Sequence, residues 1–164
     1  MVTSLQRDNY VGSLGSGIFL EWHWPTLRCR KTLIIVGPDR ELISAGFNGL
    51  PRGIEDSTER LYNREVKLSL TVHAEMNAIL AAARHGIRTK NCSMYIAAKS
   101  SQDIWGGPPC ISCTVEIIQA GIIEIISYNI NKIPSAWEDS LAQARQILKE
   151  ARINYREVTY AFES

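Results

Sequence analysis

The chain has 164 residues, 45% hydrophobic and 21% charged, and its 18 basic and 17 acidic side chains leave a formal charge of +1. That length suits one domain with a core of its own, and the composition excludes collagen-like, low-complexity and disordered classes. The near-neutral charge lacks the footprint of a nucleic-acid binder, and no apolar run is long enough to span a bilayer. With four cysteines there is no disulfide framework, so a reducing cytoplasm is the expected setting, without a membrane partner or a secretory signal.

Residues 1–32 are atypical, and Pro25 interrupts any long helix there. Residues 32–36 are a β-rich run, Gly37-Pro38-Asp39-Arg40 is a turn, and residues 42–47 are a second strand, which together predict a hairpin. Asn48-Gly49 ends it, and a polar loop follows to residue 70. Residues 71–86 read as one helix, rich in alanine and leucine and closed by Gly86. Residues 93–97 form a third strand and 99–108 a loop. Pro109 opens a helix over 110–120 that Gly121 stops. Residues 122–128 are a fourth strand, and 154–158 a fifth. Between them Ser135 and Glu138 make a capping box for a helix to residue 151, with Leu141, Ala144, Ile147 and Leu148 at helical spacing. Strands alternating with helices predict one α/β domain over residues 1–164, its helices covering a central sheet.

The chemistry concentrates in His73-Ala74-Glu75 and, far downstream, Pro109-Cys110-Ile111-Ser112-Cys113. One imidazole and two thiolates are three zinc ligands, and a zinc with three protein ligands keeps a fourth position for water. His73 and Glu75 are turned by about 200° from one another around a helix axis, so they divide the work: His73 on the metal, Glu75 beside it as acid and base. Cys110 and Cys113 share a face, and both ligand sets fall at helix N-termini, where thiolate is favoured over thiol. Simpler readings exist. A lone C-x-x-C can be a redox pair, but no strand leads straight into it. A closed structural zinc needs a fourth ligand, for which Cys29, Cys92, His23 and His85 are the candidates. Cys92 sits at the edge of an apolar strand and reads as a buried small hydrophobe; Cys29 has no reading.

The H-x-E…P-C-x-x-C arrangement resembles the signature of zinc-dependent nucleobase deaminases. Within that group, Ser44-Ala45-Gly46-Phe47-Asn48-Gly49-Leu50-Pro51-Arg52-Gly53 is similar to the G-Y-N-G-x-P-x-G segment of deoxycytidylate deaminases, with Phe47 for tyrosine. Val72-His73-Ala74-Glu75-Met76-Asn77-Ala78-Ile79 resembles their V-H-A-E-x-N-A-I element, and the likeness runs over residues 33–128. The resemblance implies a cytidine-deaminase-like three-layer α/β/α domain with a central mixed five-stranded sheet. It implies Zn²⁺ on His73, Cys110 and Cys113, with Glu75 as the proton carrier. It further implies hydrolysis of dCMP to dUMP, a homo-oligomer, and dCTP and dTTP as effectors.

For the pyrimidine nucleotide, the resemblance places Asn48 on a sugar hydroxyl, although Asn-Gly is also a common turn pair. Arg52, Arg60 and Arg64 are the cations available for a phosphate. Trp105 either stacks on the base or packs against a neighbouring subunit. Two departures stand out. The 99–108 loop is longer than the family connection, and the family's first helix is replaced by a stretch containing Trp22, His23, Trp24 and Pro25. A reading-frame change in the gene is one account of residues 14–32. Alternative functions are a transfer-RNA adenosine deaminase, which the near-neutral charge disfavours, and a catalytically impaired nucleotide-binding relative.

Overall fold

A computed structural model describes residues 30–99, 104–129 and 135–159, so the readings of residues 1–29, Cys29 among them, lie outside, and of the 14–32 stretch given to a frame change only residues 30–32 are described. The sheet starts with β1 (Arg30–Val36), which turns through Gly37–Arg40 into β2 (Leu42–Phe47) as the sequence predicts. Gly37 N–H donates to the Glu41 carbonyl at 2.8 Å and Arg40 N–H to the Gly37 carbonyl at 3.0 Å, closing the turn. β3 (Ser93–Lys99) pairs antiparallel with β1, and β5 (Glu124–Tyr128) and β6 (Asn154–Val158) follow in parallel. The spatial order is β2-β1-β3-β5-β6. Parallel neighbours need long crossovers, and helices supply them: α4 (Ile111–Gln119) joins β3 to β5, and α5 (Ser135–Glu150) joins β5 to β6.

Helix α3 (Ala74–Arg84) lies across β1 and β2, and α3, α4 and α5 pack side by side. Leu33 and Ile35 of β1, Met94 and Ile96 of β3 and Ile125 of β5 meet Ala74, Ala78, Ile117 and Leu148 in one buried cluster. Each fully buried Leu or Ile contributes about 1.5–3 kcal/mol. Cys92 belongs to this core at 1% exposure, as the sequence suggests, and burial pushes its thiol up. Strand β2 and helix α3 approach tightly at Gly46, where a Cβ would sit 2.1 Å from the Ala74 carbonyl oxygen and 2.6 Å from the Ala78 nitrogen. Helix and strand therefore touch backbone to backbone. On the other face of the sheet, Thr32, Ile34, Tyr95, Ala97 and Tyr128 line a hollow of about 300 Å³.

The α/β class and the mixed five-stranded order agree with the sequence reading, and several details do not. The polar loop carries two short helices, α1 (Thr58–Tyr62) and α2 (Arg64–Leu70), which bury no residue. With no apolar face to announce them, their signal is in the caps: Ser57 Oγ accepts from Arg60 N–H, and Asn63 Oδ1 from Glu65 and Val66 N–H. The 99–108 loop contains a two-residue strand, β4 (Ile104–Trp105), that folds back on β3. The fourth predicted strand loses its first two residues: Ile122 N–H bonds back to Ile117 at the end of α4, and Ile123 N–H bonds to the Cys92 carbonyl. Among the described residues no helix is long and apolar enough to cross a membrane.

Candidate active site

The histidine side of the site begins where β2 ends. Gly49 and Val72 exchange two backbone hydrogen bonds, at 3.1 and 2.8 Å, holding the chain before α3 against the strand exit. His73 then sits at the N-cap of α3 with extended backbone, φ −68° and ψ 153°, and its side chain makes no capping bond. The sequence reading put His73 inside the first turn; it stands one position outside, and this frees the imidazole. Capping comes from a distance instead: Asn48 Oδ1 accepts the Ala74 N–H at 2.8 Å. Asn77 Nδ2 donates to the Phe47 carbonyl and Ser44 Oγ to the Ala78 carbonyl, so the 44–49 segment is riveted along the first turns of α3.

The cysteine side is built by α4. Cys110 is also an N-cap, φ −62° and ψ 162°, rather than the first helical residue. The Ile111 N–H beside it donates to Ser140 Oγ of α5 at 3.2 Å, and Thr114 Oγ1 donates to the Cys110 carbonyl at 3.0 Å. The long preceding loop is pinned by its glycines. Gly107, at φ 86°, donates its N–H to the Tyr128 carbonyl at 2.8 Å, and a Cβ on Gly106 would lie 1.6 Å from that same oxygen.

These supports bring the three expected ligands together. His73 Nδ1 lies 3.2 Å from Cys113 Sγ and 3.4 Å from Cys110 Sγ, and the three donor atoms fall within 4.8 Å of one another. Tetrahedral zinc with Zn–N about 2.0–2.1 Å and Zn–S about 2.3 Å needs N···S separations of about 3.5 Å. The donor set and its spacing therefore fit zinc. Hydrogen bonds couple the three groups' protons. The Cys113 thiol, hydrogen-bonded to Cys110, takes the Cys110 thiol down to about 4, with help from His73. The same contact, and burial, push Cys113 up. The hydrogen bond to Cys110 raises His73 in turn. Cys110 and Cys113 would both hold a divalent cation as thiolates, giving up those protons.

Glu75 lies in the first turn of α3 and is 0% exposed. With His73 at the N-cap, the rotation of about 200° between two helical residues does not describe the pair. Its Oε1 meets Lys31 Nζ at 2.5 Å, and its Oε2 is buried with no hydrogen-bond partner among the described residues. The sequence reading missed Lys31. Its signal was present: β1 alternates, and Lys31 falls in the same row as buried Leu33 and Ile35. Asn48 reaches the site through its cap on Ala74. Arg52 and Arg64 are exposed on the loop and on α2, and Arg60 Nη1 donates to the Glu55 carbonyl at 2.9 Å. Trp105 lies in β4, in register with Ala98.

Similarity to known proteins agrees with this geometry. Residues 26–129 match the family described as the cytidine and deoxycytidylate deaminase zinc-binding region. The chain is similar to the deoxycytidylate deaminases of Mus musculus (32% identical over 130 residues, 76% of this chain) and Homo sapiens (31% over 127 residues, 74% of this chain). It spans 65% and 64% of those two proteins' lengths. An uncharacterised deaminase from the luxG 3′ region of Aliivibrio fischeri is 29% identical over 127 residues, covering 77% of this chain and 76% of that one. In fold the chain resembles the dCMP deaminase of cyanophage S-TIM5, crystallised with dCMP and dUMP, at a TM-score of 0.55 and 18% identity over 78% of this chain and 80% of that one. With the His73, Cys110 and Cys113 cluster in place, the chain belongs to the zinc-binding cytidine and deoxycytidylate deaminase family.

Proposed function

We propose that this protein hydrolyses dCMP to dUMP and ammonia. The observation that carries the reading is the pairing of a His/Cys/Cys cluster with a buried carboxylate that has one oxygen unengaged. His73, Cys110 and Cys113 would hold zinc, which supplies Lewis acidity that lowers the pKa of a coordinated water toward about 7. Glu75 takes a proton from the attacking water as its oxygen bonds to C4, and delivers it to N3. Glu75 then carries the proton of the new C4 hydroxyl to the amino group, the C4–N bond breaks as C4=O forms, and ammonia leaves. Such proton transfer is worth roughly 10²–10⁴-fold. The α3 N-terminus beside Glu75 favours developing negative charge.

The nucleotide is supported by the likeness to deoxycytidylate deaminases. On this reading Asn48 meets the sugar through the amide group its cap leaves over, Arg52 and Arg64 approach the phosphate, and Trp105 borders the base. Residues 1–164 act as one domain, in the cytoplasm, as a homo-oligomer sensitive to dCTP and dTTP. The test is a panel of dCMP, CMP, dCTP, deoxycytidine and guanine with zinc-loaded protein, followed by loss of base absorbance alongside metal analysis. Turnover of dCMP above the others is expected. Activity on guanine alone, or on none of the five, overturns the reading.

A further inference from the structure

We propose that Lys31 is a positioning residue of this site: its ammonium clamps Glu75 Oε1 and so leaves Oε2 as the oxygen that meets the attacking water and the pyrimidine ring. The inference rests on the dCMP reading and concerns how its proton carrier is aimed. Lys31 projects from β1 in the row of Leu33 and Ile35, where an apolar side chain would complete the packing. Instead its ammonium lies 2.5 Å from Glu75 Oε1, with the lysine side chain 23% exposed and the glutamate sealed. Burial works against the lysine's charge, while the Glu75 carboxylate and, more weakly, the Cys113 and Cys110 sulfurs favour it.

Two features distinguish this pair from simple charge neutralisation. The clamp uses one oxygen of the carboxylate and leaves the other without a partner among the described residues. The pair also closes a ring of contacts. The Lys31 carbonyl accepts the Asn48 N–H at 3.3 Å, Asn48 Oδ1 accepts the Ala74 N–H at 2.8 Å, and Ala74 is bonded to Glu75, which returns to Lys31. Strand, loop and helix start are thus locked to one another at the residue that must move protons. A carboxylate so held needs no search among rotamers when substrate arrives.

The test compares zinc-loaded wild type with Lys31→Met and Lys31→Arg. The expected result is a kcat for dCMP lowered about 10- to 100-fold in Lys31→Met, in line with the cost of misplacing a reacting group. KM for dCMP, Kd for dUMP, zinc content and melting temperature stay near wild type, and Lys31→Arg recovers most of the loss. Where Lys31→Met does not fold, Lys31→Gln repeats the measurement. An uncharged variant with undiminished or higher kcat overturns the inference, as does a loss that Lys31→Arg shares in full or that tracks zinc content. Wild type inactive on dCMP overturns the functional reading and this inference with it; wild type active with unaffected variants overturns this inference alone.

Discussion

The two halves of the site are held by opposite means. The ligand half rests on two helix starts packed over the sheet, with Cys110 and Cys113 buried and Glu75 sealed. The half proposed to bind the nucleotide runs from Asn48 through α1 and α2, where no helical residue is buried and Arg52 and Arg64 are exposed. Only Asn48 belongs to both, since its Oδ1 caps α3. Chemistry that must hold atoms within fractions of an ångström sits on rigid elements, and recognition that must vary sits on loops.

Substitutions can break or sharpen this contrast. The largest effect is expected from Cys110→Ala, which removes a ligand: the protein is purified without stoichiometric zinc and turnover disappears, as metal analysis and a dCMP assay will show. Glu75→Ala comes next, losing about 10²–10⁴-fold in kcat while binding zinc as wild type does; full activity there ends the mechanism. Gly46→Ala tests the scaffold rather than the chemistry. Its methyl group meets the backbone of Ala74 and Ala78, so a loss of about 1–3 kcal/mol in urea unfolding is expected. Asn48 gives the smallest and most discriminating effect. Asn48→Ala removes the cap on Ala74 and costs about 1 kcal/mol. Asn48→Asp keeps the acceptor and loses the amide donor, so its stability holds while KM for dCMP rises. An unchanged KM would leave Asn48 with its capping role only.

The ligand half was legible in the sequence because its chemistry is written in rare residues at fixed offsets. His73, Glu75, Cys110 and Cys113 could be named before any contact was known, and strands of β-branched residues bounded by Gly and Pro marked the sheet they stand on. Lys31 was missed although it alternates with Leu33 and Ile35, because the predicted strand began at Thr32 and a lysine just ahead of a strand looks like a solvated end. The two short helices hid for a related reason: without a buried face, hydrophobic periodicity is silent. Cys110 was assigned one position too deep, since a cap differs from a first helical residue only in its backbone angles, and the helix read from Thr71 starts three residues later, at Ala74, which leaves His73 as its cap.

Ser140 carries a practical lesson for anyone cutting this chain down. It satisfies the free amide next to Cys110, yet it lies beyond the 26–129 stretch that matches the family. Leu148, further on, fills the same core. At the other border, Lys31 stands two residues ahead of the apolar run that opens with Leu33. A fragment trimmed to the apparent motif boundaries, 33–128, would retain every ligand and still lose a support for each helix start. The minimal working unit is thus larger than its recognisable signature.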